Sequence, residues 1–248
     1  MEYKVNINGI DIVADYDEDN IDNIFIPLLH NLEQLYKKNN KRVLVYIVAP
    51  PGAGKSTLAS FLEYLSKQII PNTKLQAIGM DGFHKRQEYL LTYTTIIDNK
   101  EIPLVNIKGA PITFDLDSLT NKIKQLKEKD ICMWPIYDRL LHNPIEDSIK
   151  VDSDIVILEG NYLLLNIDNW NKLSEYADYT ISISADENLL RDRLIERKMM
   201  TGVSLDKTIE FVDFSDMANV RLCLNNSKKA DLQLAIDKLN NKYTINCV

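Results

Sequence analysis

Residues 43–57 read VLVYIVAPPGAGKST, and this stretch decides the fold. Its first half, VLVYIVA (43–49), is a continuous apolar run rich in β-branched residues, as in a parallel strand covered on both faces. Its second half, Ala49 to Ser56, has the spacing A-x-x-x-x-G-K-S, a phosphate-binding loop with alanine at the first glycine position. Behind it Leu58, Phe61, Leu62 and Leu65 recur at helical spacing, with Pro71 beyond the end. Strand, glycine loop and helix in this order make an anion site. Backbone N–H groups at the helix start face the phosphates, Lys55 reaches the β and γ oxygens, and Ser56 offers a hydroxyl to Mg²⁺. Pro51, Gly52, Ala53, Gly54, Lys55, Ser56 and Thr57 are therefore the expected nucleotide-binding residues, with ATP and Mg²⁺ as cofactors.

Outward from this unit the alternation continues. Strands are expected at Leu75–Met80, Ile155–Leu158 and Tyr179–Ser184, and helices after Asp115, from Glu187 to Met200 and from Leu205 to Leu224. Such alternation predicts an α/β P-loop NTPase fold of three layers, a mostly parallel sheet flanked by helices, with ligands at the carboxyl ends of the strands. Before it, Val5 to Ala14 alternate around Asn8-Gly9, a hairpin signature. Pro27 then opens a helix carrying Leu28, Leu29, Leu32 and Leu35. The expected division is an N-terminal hairpin-and-helix appendage over 1–41 and the P-loop domain over 42–248. Between Phe83 and Phe114 the runs TYTTII and IPLV flank Asp98 to Glu101, giving a hairpin insertion over 85–112 beside the second substrate.

Composition narrows the rest. With 45% hydrophobic and 26% charged residues among 248, the chain suits one sizeable globular domain. A net charge of −7 argues against broad attraction to nucleic acid or to an anionic membrane, so an anion must be caught locally. Cys132, Cys223 and Cys247 lack CxxC spacing, which fits a reducing compartment better than a disulfide framework. The start has neither a basic n-region nor an apolar core, and no run approaches the roughly 18 apolar residues of a membrane span. A cytoplasmic protein is expected, with a small-molecule acceptor as partner, no nucleic acid, no membrane, and room for a homodimer.

Phosphoryl transfer also needs a carboxylate for the metal and a group to take the acceptor's proton. Ile155-Val-Ile-Leu158 runs into Glu159-Gly160, which makes Glu159 the metal-side carboxylate together with Ser56. Ala77-Ile-Gly-Met80 runs into Asp81-Gly82, which makes Asp81 the candidate general base; a turn cap is the plainer reading of Asp before Gly. Arg193 and Arg197 stand four apart on one helical face, placed to neutralise transferred phosphate from a helical lid over 187–204. Lys55, Asp81, Arg193 and Arg197 form the expected catalytic set.

Together these residues resemble the phosphoribulokinase/uridine kinase superfamily of P-loop kinases, which includes bacterial-type pantothenate kinase, over roughly residues 43–235. Asp81-Gly-Phe-His84 and Lys108-Gly-Ala-Pro-Ile-Thr-Phe-Asp115 look like pantothenate kinase segments of the catalytic base and the acceptor region. Pro135-Ile-Tyr137-Asp138-Arg139-Leu-Leu-His142 is similar instead to a uridine kinase segment whose tyrosine and histidine line the nucleoside pocket. The aspartate that holds ribose hydroxyls in uridine kinases falls at Gly109 here. APPGAGKSTLA, MDGFH, KGAPITFD and EGNYLLL are similar to a branch called nucleoside/nucleotide kinase family or fructose-transport-associated kinase. The resemblance implies an ATP- and Mg²⁺-dependent kinase, with His84, Tyr137, Arg139 and His142 on the acceptor side; His142 reads equally as a surface or capping residue, His84 as packing under Asp81 and Tyr137 as core. The acceptor is left as a sugar, a pantothenate-like alcohol or a nucleoside, and a nucleotide-binding regulator acting on a protein partner is the alternative of a different class.

Overall fold

The computed structural model describes residues 1–7, 9–139, 141–240 and 242–246. Two antiparallel strands open the chain, β1 (Glu2–Ile7) and β2 (Ile10–Asp15), in register from Glu2↔Asp15 to Ile7↔Ile10. Asn8, half of the expected turn, lies outside the described residues. The short α1 (Glu18–Asn20) passes through a π-helical turn (Ile21–Phe25) into α2 (Ile26–Asn39), so the helical run starts at Glu18 rather than at Pro27, which sits just past the π-helical turn.

The core follows as β3 (Val43–Val48), α3 (Lys55–Ile69) and β4 (Leu75–Gly79). After α4 (Gln87–Thr92), β5 (Thr94–Ile97) and β6 (Lys100–Pro103) comes α5 (Leu116–Glu128), capped by the Asp115 carboxylate accepting from the Ser118 N–H. A long hairpin, β7 (Cys132–Asp138) and β8 (Asn143–Val151), precedes β9 (Ile155–Gly160) and β10 (Tyr179–Ser184). The chain ends with α6 (Glu187–Met199), α7 (Leu205–Phe211), α8 (Met217–Asn226), β11 (Leu232–Ile236) and β12 (Tyr243–Ile245).

The central sheet has the order β12-β11-β10-β3-β9-β4, parallel throughout except at β11–β12. Every residue of β3 and β9 is buried, which is why both read as unbroken apolar runs. Alternate residues of β3 serve the two faces. Val43, Val45 and Ile47 join Leu58, Phe61 and Leu62 of α3 and Leu29 and Leu32 of α2. Leu44, Tyr46 and Val48 face Leu119, Ile123 and Leu126 of α5 together with Trp134, Tyr162 and Trp170. This is the three-layer P-loop α/β architecture. Cys132 and Cys223 are free, buried thiols; Cys247 lies outside the described residues. No helix among the described residues is long and apolar enough to cross a membrane.

The N-terminal segment packs onto α3 through aromatic contacts. The Tyr16 ring stacks on Phe61 at 3.9 Å, and the Tyr3 hydroxyl lies 2.8 Å from Ser60 Oγ. Asn20 meets the far end of the chain: its Nδ2 donates to the Tyr243 carbonyl and its Oδ1 accepts from the Tyr243 N–H, both at 2.7 Å.

Several elements differ from the sequence expectation. The β7–β8 hairpin has no apolar alternation that announces it, because Pro135 interrupts β7, and there the register shifts between Trp134 and Ile136. The strands β11 and β12 follow the last expected helix, and that helix, expected as one piece from Leu205 to Leu224, contains a π-helical turn at Val212–Asp216.

One side chain ties the entry of β3 to the hairpin layer. Arg42 donates from Nε to the Ser153 carbonyl (2.8 Å), from Nη1 to those of Leu126 (2.7 Å) and Lys129 (2.6 Å), and from Nη2 to that of Asp130. These carbonyls include the orphan acceptors at the end of α5. Arg42→Met, which keeps the stem and removes the donors, should cost about 2 kcal/mol and lower the thermal midpoint by roughly 4–8 °C in calorimetry; an unchanged midpoint would mean that water replaces the clamp.

Candidate active site

The loop between β3 and α3 turns on two glycines in the left-handed region, Gly52 (φ +85°) and Gly54 (φ +80°), where a side chain is strained. A Cβ on Gly52 would also stand 3.2 Å from both the Leu190 carbonyl oxygen and Leu194 Cγ of α6. The first turn of α3, Lys55 to Thr57, has no side-chain cap. Its orphan N–H groups therefore await an acceptor, the arrangement an oligophosphate fits. Ala49, where the pattern has glycine, is buried in the core cluster below the loop.

Beside the loop, Glu159 lies in register between Ile47 of β3 and Gly79 of β4. Ser56 Oγ donates to its Oε1 at 2.8 Å, and Lys55 Nζ stands 3.9 Å from its Oε2. Burial pushes the Glu159 carboxyl above its ordinary range, against the pull of Lys55. Among the described residues no three carboxylate, histidine or cysteine side chains gather as a metal cage. The hard oxygens of Ser56 and Glu159 suit Mg²⁺, which keeps much of its shell for phosphate and water.

Asp81 follows β4 in a 3₁₀ turn (Met80–Phe83). It shares a cavity of about 190 Å³ with Ser56, Gly79, Ile136, Tyr137 and Glu159, so the base candidate and the metal-side pair open on one space. Burial alone would raise the Asp81 carboxyl, yet surrounding positive charge holds it below the ordinary range. His84 is itself pushed down to about 4 by burial and is uncharged at neutral pH. The task of keeping Asp81 ionised then falls to Lys55, Arg139 and Arg197.

Among the residues expected to meet the acceptor, the His84 ring stacks on Phe114 at 4.0 Å and meets Tyr137 edge-on at 5.1 Å. Burial raises the Tyr137 hydroxyl to about 12. Arg139, just past the end of β7, lies within electrostatic reach of Asp81, Glu159 and Arg197. His142 is not brought in as expected: its residue is exposed, in the left-handed conformation (φ +52°), and its carbonyl rather than its ring accepts from Lys108 Nζ at 3.2 Å. Arg193 and Arg197 also separate. Arg193 Nη1 donates to the Gly52 carbonyl at 3.3 Å, on the phosphate loop, while Arg197 lies toward Asp81 and Asp216. The helix carrying both is anchored by Leu190 and Leu194 in the core.

Lys108 is the site residue that inspection of single residues passed over, although it begins the KGAPITFD segment. Its Nζ donates to Gln87 Oε1 at 2.8 Å and stands 4.9 Å over the Tyr137 ring, and burial pushes it down to about 8. Beside it Gly109 has φ +106°, its carbonyl accepts from the Tyr162 hydroxyl at 2.6 Å, and a Cβ there would lie 3.4 Å from Asn219 Nδ2.

A model of the Phosphoribulokinase / Uridine kinase family matches residues 44–242. The uncharacterized protein YggC of Escherichia coli (strain K12) is 40% identical over 94% of both chains. A Schizosaccharomyces pombe protein provisionally named uridine kinase is 30% identical over 84% of this chain and 92% of its own. Among solved structures, a protein of Silicibacter sp. TM1040 provisionally named fructose transport system kinase superposes with a TM-score of 0.75, at 28% identity over 84% of this chain and 98% of that one.

The lowered Lys108 group carries a linkage signature. Its folded value, about 8, lies below the unfolded 10.5, so the charged side chain penalises the fold fully below pH 8, and the penalty fades as pH rises toward 10.5. Thermal melts from pH 7 to 10.5 should show wild type gaining on Lys108→Met by a few degrees, on the order of what a shift of this kind delivers. A constant difference would remove Lys108 from the buried face.

Proposed function

The chain belongs to the phosphoribulokinase/uridine kinase family and is a small-molecule kinase, and on that premise we propose that it moves the γ-phosphoryl group of ATP, with Mg²⁺, onto a hydroxyl of a small metabolite. The observation that carries this is the common cavity: Asp81, Ser56 and Glu159 face one space at the ends of three neighbouring elements. A regulator that only binds nucleotide has no need of an ionised carboxylate there.

The residues divide the work as follows. The amides of Pro51-to-Thr57 loop positions after the proline and the Lys55 ammonium hold the phosphates. Ser56 and Glu159 would hold Mg²⁺, which supplies positive charge to the phosphate oxygens when bound. Asp81 orients the acceptor hydroxyl and takes its proton as the new O–P bond forms and the bond from the γ-phosphorus to the bridging oxygen breaks. Arg193, against the loop, and Arg197, on the Asp81 side, neutralise charge that spreads over the transferred group. His84, Tyr137 and Arg139 line the acceptor side, with the 85–112 insertion over it and 187–204 as the lid. No covalent phosphoenzyme is required.

Asp81→Asn should lower turnover by roughly 10²–10⁴-fold while ATP affinity changes little, because the substitution leaves the phosphate loop intact. Lys55→Ala should weaken ATP binding itself. ADP release from Mg·ATP, followed over sugars, nucleosides and pantothenate, measures both; undiminished acceptor-stimulated turnover in Asp81→Asn would sink the base assignment.

A further inference from the structure

On the acceptor side of Asp81 several polar groups are under-committed, and they converge. Arg139 Nε is buried with no hydrogen-bond partner among the described residues, and so is His84 Nδ1. Among the described residues Lys108 Nζ is bonded only to neutral oxygens, Gln87 Oε1 and the His142 carbonyl. Lys108 and Arg139 both act on His84, each opposing its protonation, and both bear on Tyr137: Lys108 stands over the ring, and Arg139 favours the ionised hydroxyl. Both cations therefore lie within electrostatic reach of one aromatic pair, whose His84 ring is stacked on Phe114 of the core. Burying donors and positive charge without a partner is unfavourable, and native structures keep such arrangements where a ligand completes them.

The other cations of the cleft already have work. Lys55 faces Glu159, and Arg193 bonds the phosphate loop. A neutral sugar or nucleoside would leave Lys108 facing only neutral oxygens among the described residues and Arg139 Nε unbonded, although Arg139 also serves Asp81, and a cationic acceptor would be repelled by Lys108. Guanidinium and ammonium near one aromatic wall suit a compact anion, with Arg139 able to offer a planar fork and Lys108 a point charge.

We propose that the acceptor is an anionic hydroxy compound whose carboxylate or phosphate group sits between Lys108 and Arg139 against Tyr137, while its hydroxyl faces Asp81. This rests on the kinase reading and names the substrate class for it. The hydroxyl oxygen still forms the bond to phosphorus and yields its proton to Asp81; the anion takes no part in bond making and fixes orientation.

The test uses the full chain loaded with Mg²⁺ and a non-hydrolysable ATP analogue, and titration calorimetry with matched probes: glycerol against glycerate, pantothenyl alcohol against pantothenate, and a hexose against its monophosphate. The first two pairs report a carboxylate and the third a phosphate. At least one anion-bearing member should bind about tenfold or more tighter than its neutral partner. Lys108→Gln and Arg139→Gln should each cut that ratio several-fold, Lys108→Arg should restore most of it, and added salt should shrink it. Equal binding within every pair, an unchanged ratio in both glutamine variants, or no binding of any anion-bearing probe overturns the proposal. Loss of ATP affinity in Arg139→Gln with the ratio intact also overturns it, by assigning Arg139 to the nucleotide. Phosphoryl transfer is followed separately as ADP release with Mg·ATP. Preference without transfer would sink the kinase reading and leave the subsite standing, whereas transfer without preference would do the reverse.

Discussion

The Glu159 carboxylate is the tie on which the rest of the site depends. It stands at the end of a strand buried on both faces, level with Ile47 on one side and Gly79 on the other, and it accepts the Ser56 hydroxyl while facing Lys55. A carboxylate so placed is unfavourable unless it is bonded, and both of its neighbours come from the first turn of α3. The phosphate loop is thereby held in position before any nucleotide arrives, which is the condition for electrostatic catalysis without reorganisation at the moment of reaction. The sheet order does the remaining positioning, because β4 lies next to β9 and delivers Asp81 to the same edge.

Much of this was legible because it is local. The β3 run, the loop and α3 form one continuous signature, and Asp81 and Glu159 each follow directly on an apolar strand. What resisted reading is contact between distant segments. Lys108 becomes notable only when its ammonium is seen over Tyr137 and beside the His142 carbonyl, pairings across about thirty residues that no spacing rule encodes. The placing of His142 is a related case: the chain takes a positive φ there and presents its carbonyl to Lys108, which no spacing rule foretells. The β7–β8 hairpin was hidden by Pro135, which in isolation argues against a strand and here sits at a register shift.

Charge in the cleft follows a consistent logic. Phosphate transfer needs positive potential, which keeps Asp81 ionised although burial opposes that; His84 is left neutral chiefly by burial, with Lys108 and Arg139 adding to the effect. The chain as a whole is acidic, so this positive potential is local and short-ranged, concentrated where anions are handled. Gly109 fits the same picture: with φ +106° and Asn219 close by, it brings backbone rather than a side-chain carboxylate to the acceptor side.

The two-way amide contact between Asn20 and Tyr243 joins positions 223 residues apart, and it bears on how the chain is made. During synthesis the first hairpin and helix emerge long before β12, so Asn20 and the aromatic rings around Tyr16 must wait with one flank open. The layers around β3 can assemble in the meantime, once its sheet neighbours β9 and β10 have been made, but the β11–β12 edge closes only after β12 has left the ribosome. Vectorial synthesis thus leaves Tyr16 to Phe25 open until Tyr243 has been made, and ribosome pausing between the two would prolong that exposed state.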